Sequence, residues 1–263
     1  LALAYRDYAF LAVSDHDRIT TETEVLRNHV LFRAVEVSGD HHMLLAGLGT
    51  LAQEPIDHVF SVQHYGALAS AATAAGDLAI ASHPMRQFGQ HWTVDELLRT
   101  EGILGMEVFS GDGIHVDQDR GFEMWDQVLS SGRRLWGFGN DDFHHWGQER
   151  RVWNVVRAPQ KTPEAILDAF RRGDFYVSTG FGFSEIVSDA RSITFRLRDD
   201  SELFQRAYRY LTLYGKDGQV LAEKTGHFQE FTYPIRGDEG YVRAEAYMNG
   251  GYGAFSQPIW ITP

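Results

Sequence analysis

Residues 31–48 read LFRAVEVSGDHHMLLAGL. Two largely apolar runs, Leu31–Val37 and Met43–Leu48, flank a short polar segment: Glu36 and Ser38 end the first run, and His41 and His42 open the second. Runs this short and this apolar are how strands buried on both faces of a sheet read. Glu36 stands inside RAVEVS, where an unpaired carboxylate would be costly to bury. A metal ion is a natural partner for it, with Arg33 as the alternative.

The same phrase recurs on either side, with apolar runs at Phe10–Val13, Leu78–Ala81, Ile103–Phe109, Leu135–Phe138 and Val152–Val156. Between them the Ala-rich stretch Ser61–Ala75, the Thr-capped Thr93–Arg99 and the amphipathic Phe122–Ser131 are expected helices. Thr162–Arg172 opens with a Thr cap and a Pro in its first turn and closes on Gly173, the usual asymmetry of helix ends. Strand and helix in alternation imply a parallel α/β sheet or barrel. After Gly173 helical periodicity disappears. The segments SITFRLR, RYLTLYG, EFTYPI, YVRAEAYM and SQPIWITP are separated by turns such as Lys216-Asp217-Gly218 and Asn249-Gly250-Gly251, the pattern of a small antiparallel sandwich. The boundary falls near Phe183–Ser188.

The whole chain has 263 residues, 43% hydrophobic, with a formal charge of -12. Such a charge argues against a nucleic-acid surface, which needs a basic face. It is compatible with a small anionic substrate, because bound cations can reverse the local sign of a site. No cysteine is present, so any metal must be held by nitrogen and oxygen, which suits Zn, Mn or Fe. No apolar run approaches the roughly 20 residues that cross a bilayer, so no membrane partner is expected; compartment and oligomeric state stay open.

The ligand-type residues sit at the ends of the apolar runs: His16 in VSDHD, Glu36, His41 or His42, His83 in IASHP, and Asp142 with His144 in GNDDFHH. In parallel α/β folds the strand C-termini converge on one face, so residues spread from 16 to 144 can meet in one pocket. His41 and His42 stand instead at a strand start. His115 is a weaker substrate contact, and His29, His58, His64, His91 and His227 are left unassigned.

The strings LAVSDHD, VEVSGDHHMLLAGL, LAIASHP, MEVFSG and GFGNDDFHH resemble, in order, the motifs of the PHP (polymerase and histidinol phosphatase) superfamily of metal-dependent hydrolases. RRGDFYVSTGFGFSEI and YVRAEAYMNGGYGAFSQPIWITP are similar to its carbaryl hydrolase-like branch. The resemblance implies a distorted (β/α)7 barrel over residues 1–183, followed by a small C-terminal antiparallel β-sandwich over 184–263. It implies two or three divalent ions (Zn, Mn or Fe) held by His16, Glu36, His42, His83, Asp142 and His144, with His41 the alternative to His42 and Glu36 bridging two ions. Glu36, Asp142 and His144 would be the catalytic groups, and a hydroxide between the ions would attack a phosphorus or, in the alternative, a carbonyl carbon. Arg86, two residues beyond His-Pro, is the expected phosphate contact, because a guanidinium fork fits phosphate bidentately. Arg150 and Arg151 are further candidates. Asp15, Asp17 and Asp141 would orient the imidazoles, and Phe88, Trp92 and Trp146 could line an apolar pocket.

The family's opening His-x-His strand and Asp-containing loop do not occur before Leu1, so we expect that part of the native protein to lie outside this sequence. A phosphoesterase, another hydrolase (ester, carbamate or amide) and a non-catalytic binding protein are the functions in contention, in that order.

Overall fold

The computed structural model describes residues 4–19, 29–47, 59, 61–86, 92–111 and 121–261. Its first part is a single curled six-stranded sheet whose strands lie side by side in chain order: β1 (Phe10–His16), β2 (Val30–Val37), β3 (Met43–Gly47), β4 (Leu78–Ala81), β5 (Gly105–Ser110) and β6 (Trp136–Asn140). The expected strands are therefore present, but the expected (β/α)7 barrel is not. β1–β2, β4–β5 and β5–β6 pair in parallel, whereas β3 runs antiparallel to both neighbours. Only residues 38–42 separate β2 from β3. A parallel return needs a crossover of a dozen or more residues, so this short link forces a reversal. Among the described residues strands outnumber α-helices sixteen to five, which is far from one helix per strand.

Period-2 alternation splits the sheet into two faces. Val35, Val37, Met43, Leu45, Ala79, Ala81, Met106 and Val108 pack on one side against α1 (Val62–Ala75), α2 (Val94–Arg99) and α3 (Phe122–Ser130). These helices contribute Tyr65, Ala69, Leu97, Trp125 and Leu129 to that core. The other face carries Phe32, Leu78, Ile80 and Phe138, covered by Ile166, Leu167 and Phe170 of α4 (Pro163–Arg172). Each large apolar side chain buried in this way is worth about 1.5–3 kcal/mol. The helix ends follow their sequence signals. The Ser61 hydroxyl accepts from His64 N–H, Thr93 and Glu96 form a reciprocal capping box, and Thr162 caps α4.

The C-terminal region also departs from expectation. β7 (Trp153–Val156) and β8 (Phe175–Ser178) leave the first sheet and join β11 (Arg209–Tyr214), β12 (Val220–Gly226), β14 (Tyr241–Met248) and β15 (Gly253–Ser256) in the order β12-β11-β14-β15-β8-β7; β16 (Ile259–Trp260) pairs with β14. A three-stranded sheet, β13 (Glu230–Pro234), β10 (Ser192–Leu197) and β9 (Phe183–Ser188), shares a core with it through Ile193, Phe195, Leu213, Val242 and Ala244. The short helix α5 (Glu202–Arg206) adds Phe204 to its rim. The larger sheet thus recruits strands from before residue 183, and the two parts interlock. The outer edge of β6 is closed by side-chain amides: Gln257 exchanges two hydrogen bonds with the backbone of Gly137, and Asn154 does the same with Gly139. No helix among the described residues is long and apolar enough to cross a membrane.

Candidate metal centre

β1, β2, β4 and β6 deliver His16, Glu36, His83 and Asp142 from their C-terminal ends. β3 delivers His42 from its start, and its antiparallel direction is what brings that start to the same end of the sheet: Val37 pairs with Met43, and Met43 with Ala81. His16 and Glu36 are themselves register partners.

Glu36 is the hub. Its Oε1 lies 3.3 Å from His42 Nδ1 and 3.2 Å from His83 Nε2, and its Oε2 lies 3.6 Å from His16 Nδ1. The two ring nitrogens of His42 and His83 are 3.1 Å apart. Protons cannot satisfy this triangle: if each imidazole donates to Glu36, two N–H groups face each other along the third edge. A cation at its face satisfies all three atoms. Donors about 2.0–2.2 Å from a tetrahedral ion are about 3.3 Å from one another, which matches the edges seen. His16, Glu36 and His42 form a group of donor atoms able to hold one ion. The fit is good.

Asp142 and His144 stand beside this group. The His144 ring is 6.3 Å from that of His16, and its Nδ1 lies 2.8 Å from the Asp142 carbonyl oxygen and 3.6 Å from Oδ1. The Asp142 Oδ2 atom is buried without a hydrogen bond, with Arg86 Nη2 3.5 Å away. Arg86 also reaches His83 Nε2 at 3.4 Å, so it belongs to the cluster. Arg150 does not: it sits on the rim of the cavity, 3.6 Å from Asp7 and over the Tyr8 ring. Arg151 is engaged with the backbone of Gly111 and Gly147. Of the five non-glycine residues with positive φ among the described residues, Asp17, His83, Asp142 and Arg150 flank the cluster or its rim. Backbone strain of this kind concentrates where function over-determines the geometry.

His41 turns the other way. Its Nε2 bonds Glu96 at 3.2 Å and its ring stacks on Trp92, so His42 is the histidine at the cluster. Asp17 acts on it indirectly, accepting the Ser38 N–H while the Ser38 hydroxyl bonds His16 Nδ1. Among the described residues Asp141 orients no imidazole; it receives the N–H groups of Arg150, Arg151 and Val152 and the Tyr5 hydroxyl. Trp92 is core, donating to the His42 carbonyl, and Trp146 is 74% exposed. Phe88, His58, His91 and His115 lie outside the described residues.

The site also contains Glu107, which sequence reasoning passes over. It lies in β5, is 4% exposed and lines the cavity. Burial pushes its carboxyl up to about 7, opposed by the nearby His83 and reinforced by Asp142. Burial, then the charge of Glu36, also raises Asp142. Burial alone would raise Glu36, but hydrogen bonds from His42 and His83 outweigh it and hold that carboxyl well below the usual range. Burial lowers His83, yet the Glu36 hydrogen bond and the charge of Glu107 leave it raised. Two enclosed carboxylates, Glu107 and Asp142, pushed toward their neutral forms beside a charged Glu36 describe a site short of positive charge.

From this acidic end a cavity of about 690 Å³ runs along the inner face of the sheet, past Leu44, Ala46, Ile80, Phe32, Phe138 and Phe170. The volume is within the usual range for small-molecule sites. Compared with known proteins, the chain matches no family model, no curated protein and no solved structure.

Proposed function

We propose that this chain is a divalent-metal-dependent hydrolase acting on a small anionic substrate, a phosphoric ester in the first instance. The observation that carries the proposal is the Glu36 triangle, with imidazole and carboxylate atoms packed at ligand-to-ligand distances that hydrogen bonds alone leave frustrated. The sequence resemblance to PHP hydrolases supports the same chemistry. His16, Glu36, His42 and His83 would hold one ion, and Asp142 with His144 would serve a second. A divalent ion in such a site supplies Lewis acidity, drawing charge from a substrate oxygen and making water nucleophilic near neutral pH. The chain's own contributions are distinct. Arg86 presents a guanidinium to the anionic oxygens, His144 stands on the open side where a leaving group departs, and the apolar wall shields the reacting atoms from bulk water.

The apolar cavity favours one second reading, hydrolysis of a carboxylic or carbamic ester with a hydrophobic body. Both are tested by loading the chelator-treated chain with Zn, Mn or Fe and assaying a phosphomonoester, a phosphodiester and an aryl carboxylate ester. Turnover confined to phosphoric esters and weakened by Arg86→Ala supports the first reading. Turnover of the carboxylate ester, indifferent to Arg86→Ala, replaces it with the second. No turnover by metal-loaded protein leaves a cation-binding protein.

A further inference from the structure

Glu107 lies outside the ligand triangle, yet each of its two oxygens accepts a hydrogen bond. Oε2 accepts the backbone N–H of His83 at 2.7 Å, and Oε1 accepts from the Asn140 side-chain amide at 2.6 Å. The Asn140 oxygen in turn accepts from the Asn154 amide at 3.3 Å. Asn154 cannot flip, because its oxygen takes the Gly139 N–H at 3.1 Å while its nitrogen gives to the Gly139 carbonyl at 2.8 Å. The direction of every bond in the chain is thereby fixed, and only an acceptor fits at each oxygen of residue 107. The bonds end on two strained turns: His83 has φ +27, and Asp142, two residues beyond Asn140, has φ +49.

We propose that Glu107 is a positioning residue of the metal centre: through the His83 N–H and through Asn140 it locks the two turns that aim His83 and Asp142 at a common ion. This rests on the reading of the cluster as a cation site. Partners that orient ligands in this way typically govern metal affinity by about 10- to 100-fold.

The test exchanges the polarity of one bond. In Glu107→Gln the glutamine oxygen can still accept from His83, but its amide then faces the Asn140 amide, donor against donor. Asn140→Asp alone sets carboxylate against carboxylate. The double variant Glu107→Gln/Asn140→Asp restores a donor–acceptor pair and the wild-type charge. Zn²⁺ is titrated calorimetrically into each chelator-treated chain, with melting temperatures recorded on the same metal-free samples. The expected result is a loss of about 10- to 100-fold in Zn²⁺ affinity in each single variant, most of it recovered in the double. Single variants that bind Zn²⁺ like the wild type, or a folded double variant no better than the singles, would overturn the proposal. If a single variant fails to fold, recovery of both folding and affinity in the double still supports it, and recovery of folding without affinity overturns it. A wild-type chain that takes up no Zn²⁺ shows instead that the cation-site reading has failed, and this inference with it.

Discussion

Glu36 and Glu107 are buried carboxylates at the same end of one sheet, shifted in opposite directions: hydrogen bonds from His42 and His83 overcome burial and hold Glu36 below the usual range, whereas burial pushes Glu107 up to about 7. The difference predicts how the metal-free protein responds to pH. Between the ordinary value of 4.5 and about 7 the folded chain keeps a proton on Glu107 that the unfolded chain has released, so stability falls as pH rises through that window. The effect is on the order of 3 kcal/mol at most. His83, raised above 6.5, acts in the same sense: its stabilisation is complete below its ordinary value and is lost as pH climbs through the folded one. Asp142, also raised, adds to the decline in the acid range. Glu36 opposes them only below its ordinary value, where its contribution is lost as pH falls. Urea unfolding of chelator-treated protein from pH 5 to pH 8 should show decreasing stability, flattened between pH 5 and 7 by Glu107→Gln. Stability that increases over that window would contradict the assignment.

At the scale of elements, the helix ends make sharp predictions. Gly173 closes α4 with φ +75, and a Cβ there would meet the Trp136 ring at 2.7 Å. Gly173→Ala therefore combines backbone strain with overpacking and should cost about 2–4 kcal/mol. Removing the cap with Thr162→Ala should cost about 1 kcal/mol. Chemical denaturation that ranks the two variants the other way would contradict this account. These elements were legible in the sequence because caps, turn residues and apolar runs are local signals. Strand direction was not. A run such as MLLAG reads the same whichever way it points, and the five residues before it carry His42 while also forcing the reversal. For the same reason His42 looks misplaced in the sequence, at a strand start, and falls into the cluster only once β3 is antiparallel. Glu107 in MEVFS gives the same signal as Glu36 in RAVEVS. Its partners, a backbone N–H and an asparagine, are visible only when β4, β5 and β6 are aligned. The sharing of β7 and β8 with the C-terminal sheet is a long-range choice that local periodicity cannot encode.

At the scale of the molecule, a buried charge network binds the helical layer to the larger C-terminal sheet. Arg243 on β14 donates to both oxygens of Asp126 on α3 at 2.7 and 2.5 Å and to Glu245 at 2.6 Å, while the Tyr241 hydroxyl also reaches Asp126. Arg243 is fully enclosed, so deleting one partner strands a charge in the core. Asp126→Ala should cost about 3–5 kcal/mol, and replacing the whole network, Asp126→Leu with Arg243→Met and Glu245→Gln, should recover much of it. Because Tyr241 and Phe255 also belong to the core beneath the first sheet, the chain should unfold in one transition seen alike by circular dichroism and tryptophan fluorescence. Two separated transitions would show that the parts are independent. The central claim, that the strand ends carrying Glu36, His16, His42 and His83 form a cation centre, is tested most directly by elemental mass spectrometry. Chain reconstituted with Zn, Mn and Fe and then gel-filtered would be compared with Glu36→Gln. The account predicts about one divalent ion or more per wild-type chain, falling at least several-fold in the variant. Wild-type protein that emerges essentially metal-free, or a variant that retains as much as the wild type, would contradict it.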